Sequence, residues 1–305
     1  MQEAASRAAR HDETLSHSII RRLRAGGLPQ MVDWFDPMLL AKIGVREMVS
    51  GTMGQYADQR LMQAATDGAS EQKLRERYDY SGATAAQMRY GEGLWVDYIS
   101  DLGDGFEATY AMAYLMAQDR LDVQSAKGAA TPLNGGVTLP AGDILIMGGD
   151  QAYPQSSQQE YQDRLLDPYN WAFSTPNPQR KLFALPGNHD WYDGLGAFDS
   201  LFCSVRNLIA KDIGKPIGGW RCQQHRSYWA IKLSEHWWIW GADIQLEGVF
   251  DDAQRDYFHI KSEQTGPGDN IIICLAEPSW SHDNYDNLHD IAYLARKHGD
   301  RKSVG

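Results

Sequence analysis

The sequence predicts an α/β fold with much parallel sheet, and three observations lead to this class. Short apolar runs bounded by Gly and Asp, such as Ile144 to Met147, are typical of buried parallel strands. An Ala-rich stretch from Phe106 to Gln118 has the composition of a helix and lies between two such runs. Polar residues follow the runs directly, as expected where functional groups collect at the carboxyl ends of parallel strands.

Length and composition are those of a globular protein with a large core, since the 305 residues are 43% apolar. The 29 basic and 40 acidic residues give a net charge of −11, which argues against nucleic acid as a stable partner and against a surface for anionic lipid. An anionic substrate would therefore need locally bound metal cations. The sequence contains neither a signal-peptide core nor an apolar run of about 18 residues, which predicts a cytoplasmic protein without a membrane segment.

Residues 1–90 are predicted to form a helical extension that packs on a main domain of residues 91–305. Asp36 and Pro37 are typical of an N-cap followed by Pro at the first helical position, and apolar residues then recur at helical spacing. This part of the chain lacks the alternation of apolar and polar residues that marks half-buried strands.

The main domain is predicted to alternate strands with helices and to contain one β-hairpin. The expected elements are strands at Leu94–Ser100, Ile144–Met147 and Lys181–Leu185, a hairpin with a Ser-Glu turn within residues 226–245, a helix at Asp251–Lys261 and a strand from Asn270. Residues 131–142 carry several Gly and Pro residues, and we expect them to form a surface loop.

Three strand ends carry polar side chains suited to metal binding. Asp101 lies in "DLG", Asp150 and Tyr153 in "GDQAY", and Asn188 and His189 in "LPGNHDWYDG". Each motif alone fits helix capping or turn formation. Together they deliver hard oxygen ligands to one edge of the predicted sheet, which indicates a site for two metal ions about 3.5–4 Å apart, bridged by a carboxylate.

These motifs, in this order, resemble those of the calcineurin-like metallophosphoesterases, and within them the purple acid phosphatase type. The resemblance rests on "DLG" at 101–103, "GDQAY" at 149–153 and "GNHD" at 187–190, and it covers roughly residues 92–285. It implies a sandwich of two mixed sheets flanked by helices. It also implies hydrolysis of a phosphate ester through a dinuclear centre of iron, manganese or zinc, with metal-bound hydroxide as the nucleophile.

The same resemblance assigns a role to each residue of the three motifs. Asp101 and Tyr153 would bind one metal ion, Asp150 would bridge both, and Asn188 would bind the second. His189 would contact the phosphoryl group or protonate the leaving oxygen, a role that suits imidazole near neutral pH.

Four further residues are interpreted from their sequence context. Asp190 either orients the His189 ring as part of the catalytic group or caps the next turn. Arg221 and His225 are the best candidates to bind phosphate outside the metal loops, with a solvated strand edge as the alternative. Asp104 is expected to cap the helix that starts near Phe106 rather than to reach the metal ions.

Two features depart from the family pattern. Ala276 stands where a metal-binding histidine is expected, and Glu277 beside it is predicted to supply an oxygen ligand, with His282 as an alternative. The final Gly-His-x-His motif is absent from the sequence. We therefore expect the chain to be a C-terminally truncated fragment that lacks the last strand of the second sheet.

Two other functions are compatible with the sequence. The departures at Ala276 and at the final motif also fit a degenerate phosphoesterase that serves as a binding or scaffold domain. A structural calcium site in the "DLGDG" loop is a third possibility, although its spacing does not match a calcium-loop pattern. The sequence leaves open the substrate, the choice between monoester and diester, the metal and the oligomeric state.

Overall fold

The computed structural model describes residues 27–53, 59–82, 93–124, 136–173, 180–203, 216–244, 250–276 and 285–296. The helices are α1 (Pro37–Met53), α2 (Gln59–Asp67), α3 (Glu71–Glu76), α4 (Phe106–Ala117), α5 (Gln158–Tyr161), α6 (Asp167–Ala172), α7 (Asn188–Trp191), α8 (Gly196–Phe202), α9 (Asp252–Ser262) and α10 (Tyr285–Arg296), with a π-helical turn at Gln162–Leu166. The strands are β1 (Val96–Ile99), β2 (Arg120–Val123), β3 (Val137–Pro140), β4 (Ile144–Met147), β5 (Lys181–Ala184), β6 (Pro216–Ile217), β7 (Trp220–Cys222), β8 (Trp229–Ser234), β9 (Trp237–Ala242) and β10 (Asn270–Leu275).

The larger sheet has five strands in the order β1-β4-β5-β7-β6. Strands β1, β4, β5 and β7 are parallel, and β6 pairs antiparallel with β7. All of β4 is buried, as expected for a central parallel strand covered on both faces. Because β1, β4 and β5 are neighbours that run in one direction, the loops that follow them lie side by side.

The second sheet has three strands in the order β10-β9-β8. Strands β8 and β9 form the predicted hairpin, and β10 pairs parallel with β9. The two sheets pack face to face through one apolar cluster, in which the Trp229 indole nitrogen donates to the Ala184 carbonyl at 2.9 Å. The buried residues of this cluster are Ile144, Ile146, Phe183, Leu185, Trp229, Ile231 and Ile239.

Helices cover the outer face of each sheet. Residues of α4, α8 and the π-helical turn pack on the five-stranded sheet, whereas α9 and α10 pack on the three-stranded sheet. The prediction of an α/β fold with a parallel-rich sheet and flanking helices is therefore confirmed. No helix within the described ranges is both long and apolar enough to cross a bilayer.

The prediction of a surface loop at residues 131–142 is wrong for its second half. Residues 137–140 form β3, which pairs antiparallel with β2 in a separate two-stranded ribbon. Residues 131–135 lie outside the described residues. Most side chains of both strands are exposed. Apolar residues do alternate in each strand, so that Leu121 pairs with Leu139 and Val123 with Val137, but each strand is only four residues long.

In the described part of residues 1–90, the regular elements are the helices α1, α2 and α3, with one exception. Helix α1 begins at Pro37, and the Asp36 carboxylate accepts a hydrogen bond from the Met38 amide at 2.9 Å, so the predicted cap is confirmed. Asp79, however, forms an isolated parallel bridge with Lys232 of β8. The predicted domain boundary at residue 90 lies outside the described residues.

A buried polar network joins α2 to the main domain through Asp243, which follows β9. The Asp243 carboxylate accepts hydrogen bonds from the Trp191 indole nitrogen at 3.0 Å and from the Ser227 hydroxyl at 2.5 Å. From α2, Gln63 accepts from the Ser227 amide at 2.8 Å, and Arg60 donates to the Asp243 carbonyl at 2.9 Å. Burial raises the pKa of Asp243 to about 7.

The raised pKa predicts how Asp243→Asn changes stability with pH. Below about pH 4 the carboxyl is protonated in both the folded and the unfolded chain, whereas between about pH 4 and pH 7 only the unfolded chain ionises. The free energy of unfolding of the wild type therefore falls across this window. The neutral amide can still pair with Trp191 and Ser227, so the variant escapes this loss, which is on the order of 1–4 kcal/mol.

Urea unfolding at about pH 5 and about pH 8 measures this difference. Asp252→Asn, which changes an exposed carboxylate on α9, is the matched control and should follow the wild type at both pH values. The prediction would be contradicted if the free energy of unfolding changed by the same amount between these two pH values in the Asp243→Asn variant and in the wild type.

Candidate metal centre

The first two strand ends place aspartates in an uncommon backbone conformation. Asp101 follows β1 and Asp150 follows β4, and their φ angles are 56° and 51°. Few residues other than Gly adopt this left-handed region, although Asp tolerates it better than most. Such backbone strain persists where the surrounding structure fixes it, and it is concentrated at functional sites. Both aspartates are thus held in place by the loops rather than by local preference.

The two carboxylates converge on one phenol. The Tyr153 hydroxyl lies 3.1 Å from Asp101 Oδ1 and 3.1 Å from Asp150 Oδ2. Burial and, to a smaller extent, the charge of Asp101 raise the pKa of Asp150, and burial together with both carboxylates raises the pKa of Tyr153. Three oxygens of metal-ligating type therefore share one small region, in which a cation would offset the repulsion between the carboxylates.

The turn after β5 brings Asn188 and His189 against Asp150. The His189 amide donates to Asp150 Oδ1 at 3.0 Å. This approach requires Gly187, because a Cβ at that position would lie 2.1 Å from Asp150 Oδ1. The Asn188 amide nitrogen donates to the Tyr192 hydroxyl at 3.2 Å, so its oxygen is the atom that would serve a metal. The structure therefore brings Asp101, Asp150, Tyr153 and His189 together, and Asn188 lies beside His189 in the same turn.

The His189 ring is oriented by the backbone of the preceding loop. Its Nδ1 lies 2.8 Å from the Pro154 carbonyl, which can only accept, so Nδ1 carries a proton. Nε2 is then the nitrogen that exchanges a proton with another group. The ring also packs edge-on against Tyr153 and Tyr192, with centroid distances of 4.6 Å and 4.9 Å.

Asp190 faces the protein interior and is fully buried. Its carboxylate accepts from the Gly187 amide at 2.9 Å, from the Tyr161 hydroxyl at 2.5 Å and from the Gln151 amide at 3.2 Å. Burial raises the pKa of Asp190 to about 8. Of the two roles predicted for Asp190, these contacts match turn capping, because the His189 nitrogen that a carboxylate would orient faces Pro154 instead.

The contacts described for Arg221 and His225 are with residues outside the three motifs. Arg221 pairs with Lys181 at the amino end of β5, which is the edge of the sheet opposite Asn188. The His225 ring lies 3.5 Å from Asp67, and its amide donates to the Tyr78 hydroxyl. The phosphate-binding role predicted for these two residues is therefore not supported by their placement.

Position 276 does face the cluster. A Cβ placed on Gly149 would lie 3.4 Å from the Ala276 methyl group. A longer side chain at position 276 would therefore point toward the loop after β4, which contains Gly149. Glu277 and His282 lie outside the described residues. Within the described ranges, no three His, Cys, Asp or Glu side chains come together as a metal site. The cluster there consists of two carboxylates, a phenol and an amide.

Trp34 is a contact of the site that the sequence did not predict. Its ring packs edge-on against Tyr153 and His189, with centroid distances of 5.4 Å and 5.7 Å. Asp104 holds the same segment, since its side chain accepts from the Val32 amide at 3.0 Å. The predicted helix cap at Asp104 is wrong, because Gly105 is the N-cap of α4 and no side chain caps it. No motif marks Trp34, which lies far from the loops in sequence.

This chain matches no protein-family model, and comparisons with curated proteins and with solved structures gave no significant match. Its similarity to a known family therefore rests on the three motifs, and the case for a function rests on the geometry of their side chains.

The described residues fit a metal ion at one of the two predicted positions. Carboxylate and phenolic oxygens from Asp101, Asp150 and Tyr153 are ligands that hard cations prefer, and tyrosine also suits ferric iron. At the second position Asp150 and Asn188 provide two oxygens, and the predicted third ligand, Glu277, is outside the described residues. The donor set thus suits a centre built on a shared Asp150.

Gly187→Ala tests the close approach of the two loops. The added methyl group collides with the Asp150 carboxylate and its backbone, so we expect a loss of about 1–3 kcal/mol in the free energy of unfolding. Gly266→Ala is the matched control, because a Cβ at Gly266 meets nothing within 4 Å. Equal unfolding midpoints for the two variants in urea would show that the loops are not packed this closely.

Tyr161→Phe tests whether Asp190 holds the turn by its hydrogen bonds. The variant leaves the fully buried Asp190 carboxyl without one hydrogen-bond partner. We therefore expect its free energy of unfolding to be about 1–2 kcal/mol lower than that of the wild type. Tyr114→Phe removes a hydroxyl from a side chain that is 51% exposed and serves as the control. Thermal unfolding of both variants gives the comparison, and a Tyr161→Phe variant as stable as the control would argue against this role.

Proposed function

We propose that this protein is a metal-dependent phosphoesterase that hydrolyses a phosphate ester at a dinuclear centre of iron, manganese or zinc. One observation supports this most directly. Two carboxylates from the ends of adjacent parallel strands, Asp101 and Asp150, meet at the Tyr153 hydroxyl, next to a histidine whose Nε2 can transfer a proton. This combination of hard ligands and a general acid suits phosphoryl chemistry.

The ligand assignment follows the family resemblance, and the contacts of Asp101, Asp150 and Tyr153 are compatible with it. Asp101 and Tyr153 would hold one metal ion, and Asn188 and Glu277 would hold the other. Asp150 would serve both, since Tyr153 contacts one of its oxygens and the turn after β5 contacts the other. When bound, the metal ions supply charge stabilisation at the phosphoryl oxygens and lower the pKa of water.

His189 would donate the proton to the leaving oxygen. Its Nδ1 is engaged by Pro154, so the imidazolium form presents the Nε2 proton to a group at the opposite side of the ring. Asp190 contributes indirectly, because it ties the amide of Gly187 to the loop that carries Asp150. The position of the His189 ring therefore depends on backbone contacts from two loops.

The electrostatics of the site favour a metal-dependent reaction over a reaction by side chains alone. A phosphate ester is an anion, and the protein carries a net charge of −11. The two neighbouring carboxylates would repel such a substrate. Cations held by Asp101, Asp150 and Tyr153 would reverse the sign of the local charge, so that an anionic substrate could approach.

A degenerate phosphoesterase that binds but does not hydrolyse is the second candidate. It is favoured by Ala276, which faces the loop after β4 with a methyl group where the family pattern has a histidine. Such a domain would bind metal and phosphate without turnover, so activity assays separate it from the first proposal.

Asp150→Asn is the variant that tests the proposed activity. With Mn²⁺ added after chelation, we expect the wild type to hydrolyse 4-nitrophenyl phosphate or its bis-ester and the variant to lose at least about 100-fold in kcat. The metal-free variant should be no less stable than the wild type, because a neutral amide replaces a carboxylate whose pKa burial raises.

Asp252→Asn is the control for this variant and should retain full activity. An Asp150→Asn variant that is as active as the wild type would contradict the proposal. Wild-type protein that binds Mn²⁺ and phosphate without turnover in Mn²⁺, Zn²⁺ or Fe²⁺ would favour the degenerate binding domain instead.

A further inference from the structure

The segment Pro29–Asp36 places the Trp34 ring against two residues of the candidate metal centre, Tyr153 and His189. The Trp34 ring contacts the rings of Tyr153 and His189 at 5.4 Å and 5.7 Å, and its side chain is only partly exposed. On another side of His189 lies Tyr192, at 4.9 Å. The rings of Trp34, Tyr153 and Tyr192 therefore border the His189 imidazole.

Trp34 is held in place by contacts between its segment and the loop before α4. The Phe106 amide donates to the Pro29 carbonyl at 3.0 Å, and the Val32 amide donates to the Asp104 carboxylate at 3.0 Å. Arg164 also donates to the Gln30 carbonyl at 3.0 Å. Since these bonds join the segment to the loop that follows Asp101, the indole is positioned relative to the metal ligands before any substrate binds.

We propose that Trp34 is a specificity-determining residue that selects phosphate esters with a planar aromatic leaving group. This inference rests on the proposed function, in which His189 protonates the leaving oxygen. The substituent on that oxygen must then lie beside the neighbours of the His189 ring, of which Trp34 and Tyr192 are the aromatic ones not assigned to a metal ion. An aromatic substituent gains edge-to-face contacts and buried area from both rings, whereas a small alkyl group gains little from either.

Non-hydrolysable phosphonates test this selection without turnover. Phenylphosphonate and methylphosphonate carry the same anionic head and differ in the group that would face Trp34. Isothermal titration of the protein in Mn²⁺ should show tighter binding of phenylphosphonate to the wild type. Trp34→Ala should weaken phenylphosphonate about five- to tenfold and leave methylphosphonate within about twofold, whereas Trp34→Phe should keep most of the preference.

The outcomes separate this inference from the proposed function. If wild-type protein binds neither phosphonate in the presence of metal, the proposed function fails and the inference fails with it. If the wild type binds both equally, or if Trp34→Ala weakens both to the same extent, the inference alone is overturned. If the alanine variant does not fold, Trp34→Leu, which keeps apolar bulk without the aromatic ring, replaces it. The same ratio of phenylphosphonate affinity to methylphosphonate affinity is then measured for that variant.

Discussion

The parallel alignment of β1, β4 and β5 is the constraint on which the candidate site depends. Adjacent parallel strands end at one edge of a sheet, so residues 49 and 38 positions apart in sequence, Asp101, Asp150 and Asn188, emerge as neighbours. Close approach of the loops then requires glycine at Gly103 and Gly187, where a Cβ would collide with Gln151 or with Asp150. Asp101 and Asp150 also have left-handed backbone conformations. The direction of their carboxylates is therefore set by the backbone of the two loops.

Two buried carboxyl groups, those of Asp190 and Asp243, hold the loops of the candidate site together. Asp190 joins the turn after β5 to the loop after β4, and Asp243 joins Trp191 of the same turn to Ser227. Burying a carboxyl group costs free energy, which the hydrogen bonds of each group offset and which the raised pKa of each group records. Buried residues behind the candidate site thereby help to position the turn that carries His189.

The sequence predicted the parts of this fold in which apolar pattern and turn residues agree. The buried strands β4 and β5, the β8–β9 hairpin and the start of α1 at Pro37 carry strong local signals, and the three loop motifs follow from strand direction. Other features depend on contacts distant in sequence. The β2–β3 ribbon consists of two short, largely exposed strands. The register of Arg221 against Lys181 places it at the edge of the sheet opposite Asn188, and Trp34 reaches His189 only through the path of its segment.

The anchoring of the N-terminal region has a consequence for how the molecule can be divided. Arg60 and Gln63 of α2 complete the hydrogen bonding around Asp243 and Ser227, and the Pro29–Asp36 segment packs on the loop before α4. Removal of the chain before about residue 90 would therefore expose the buried Asp243 carboxylate and remove Trp34 from the candidate site. Because these contacts join α2 and the Pro29–Asp36 segment to the sheets and their loops, we expect truncation from the amino end to impair folding rather than to release an autonomous domain.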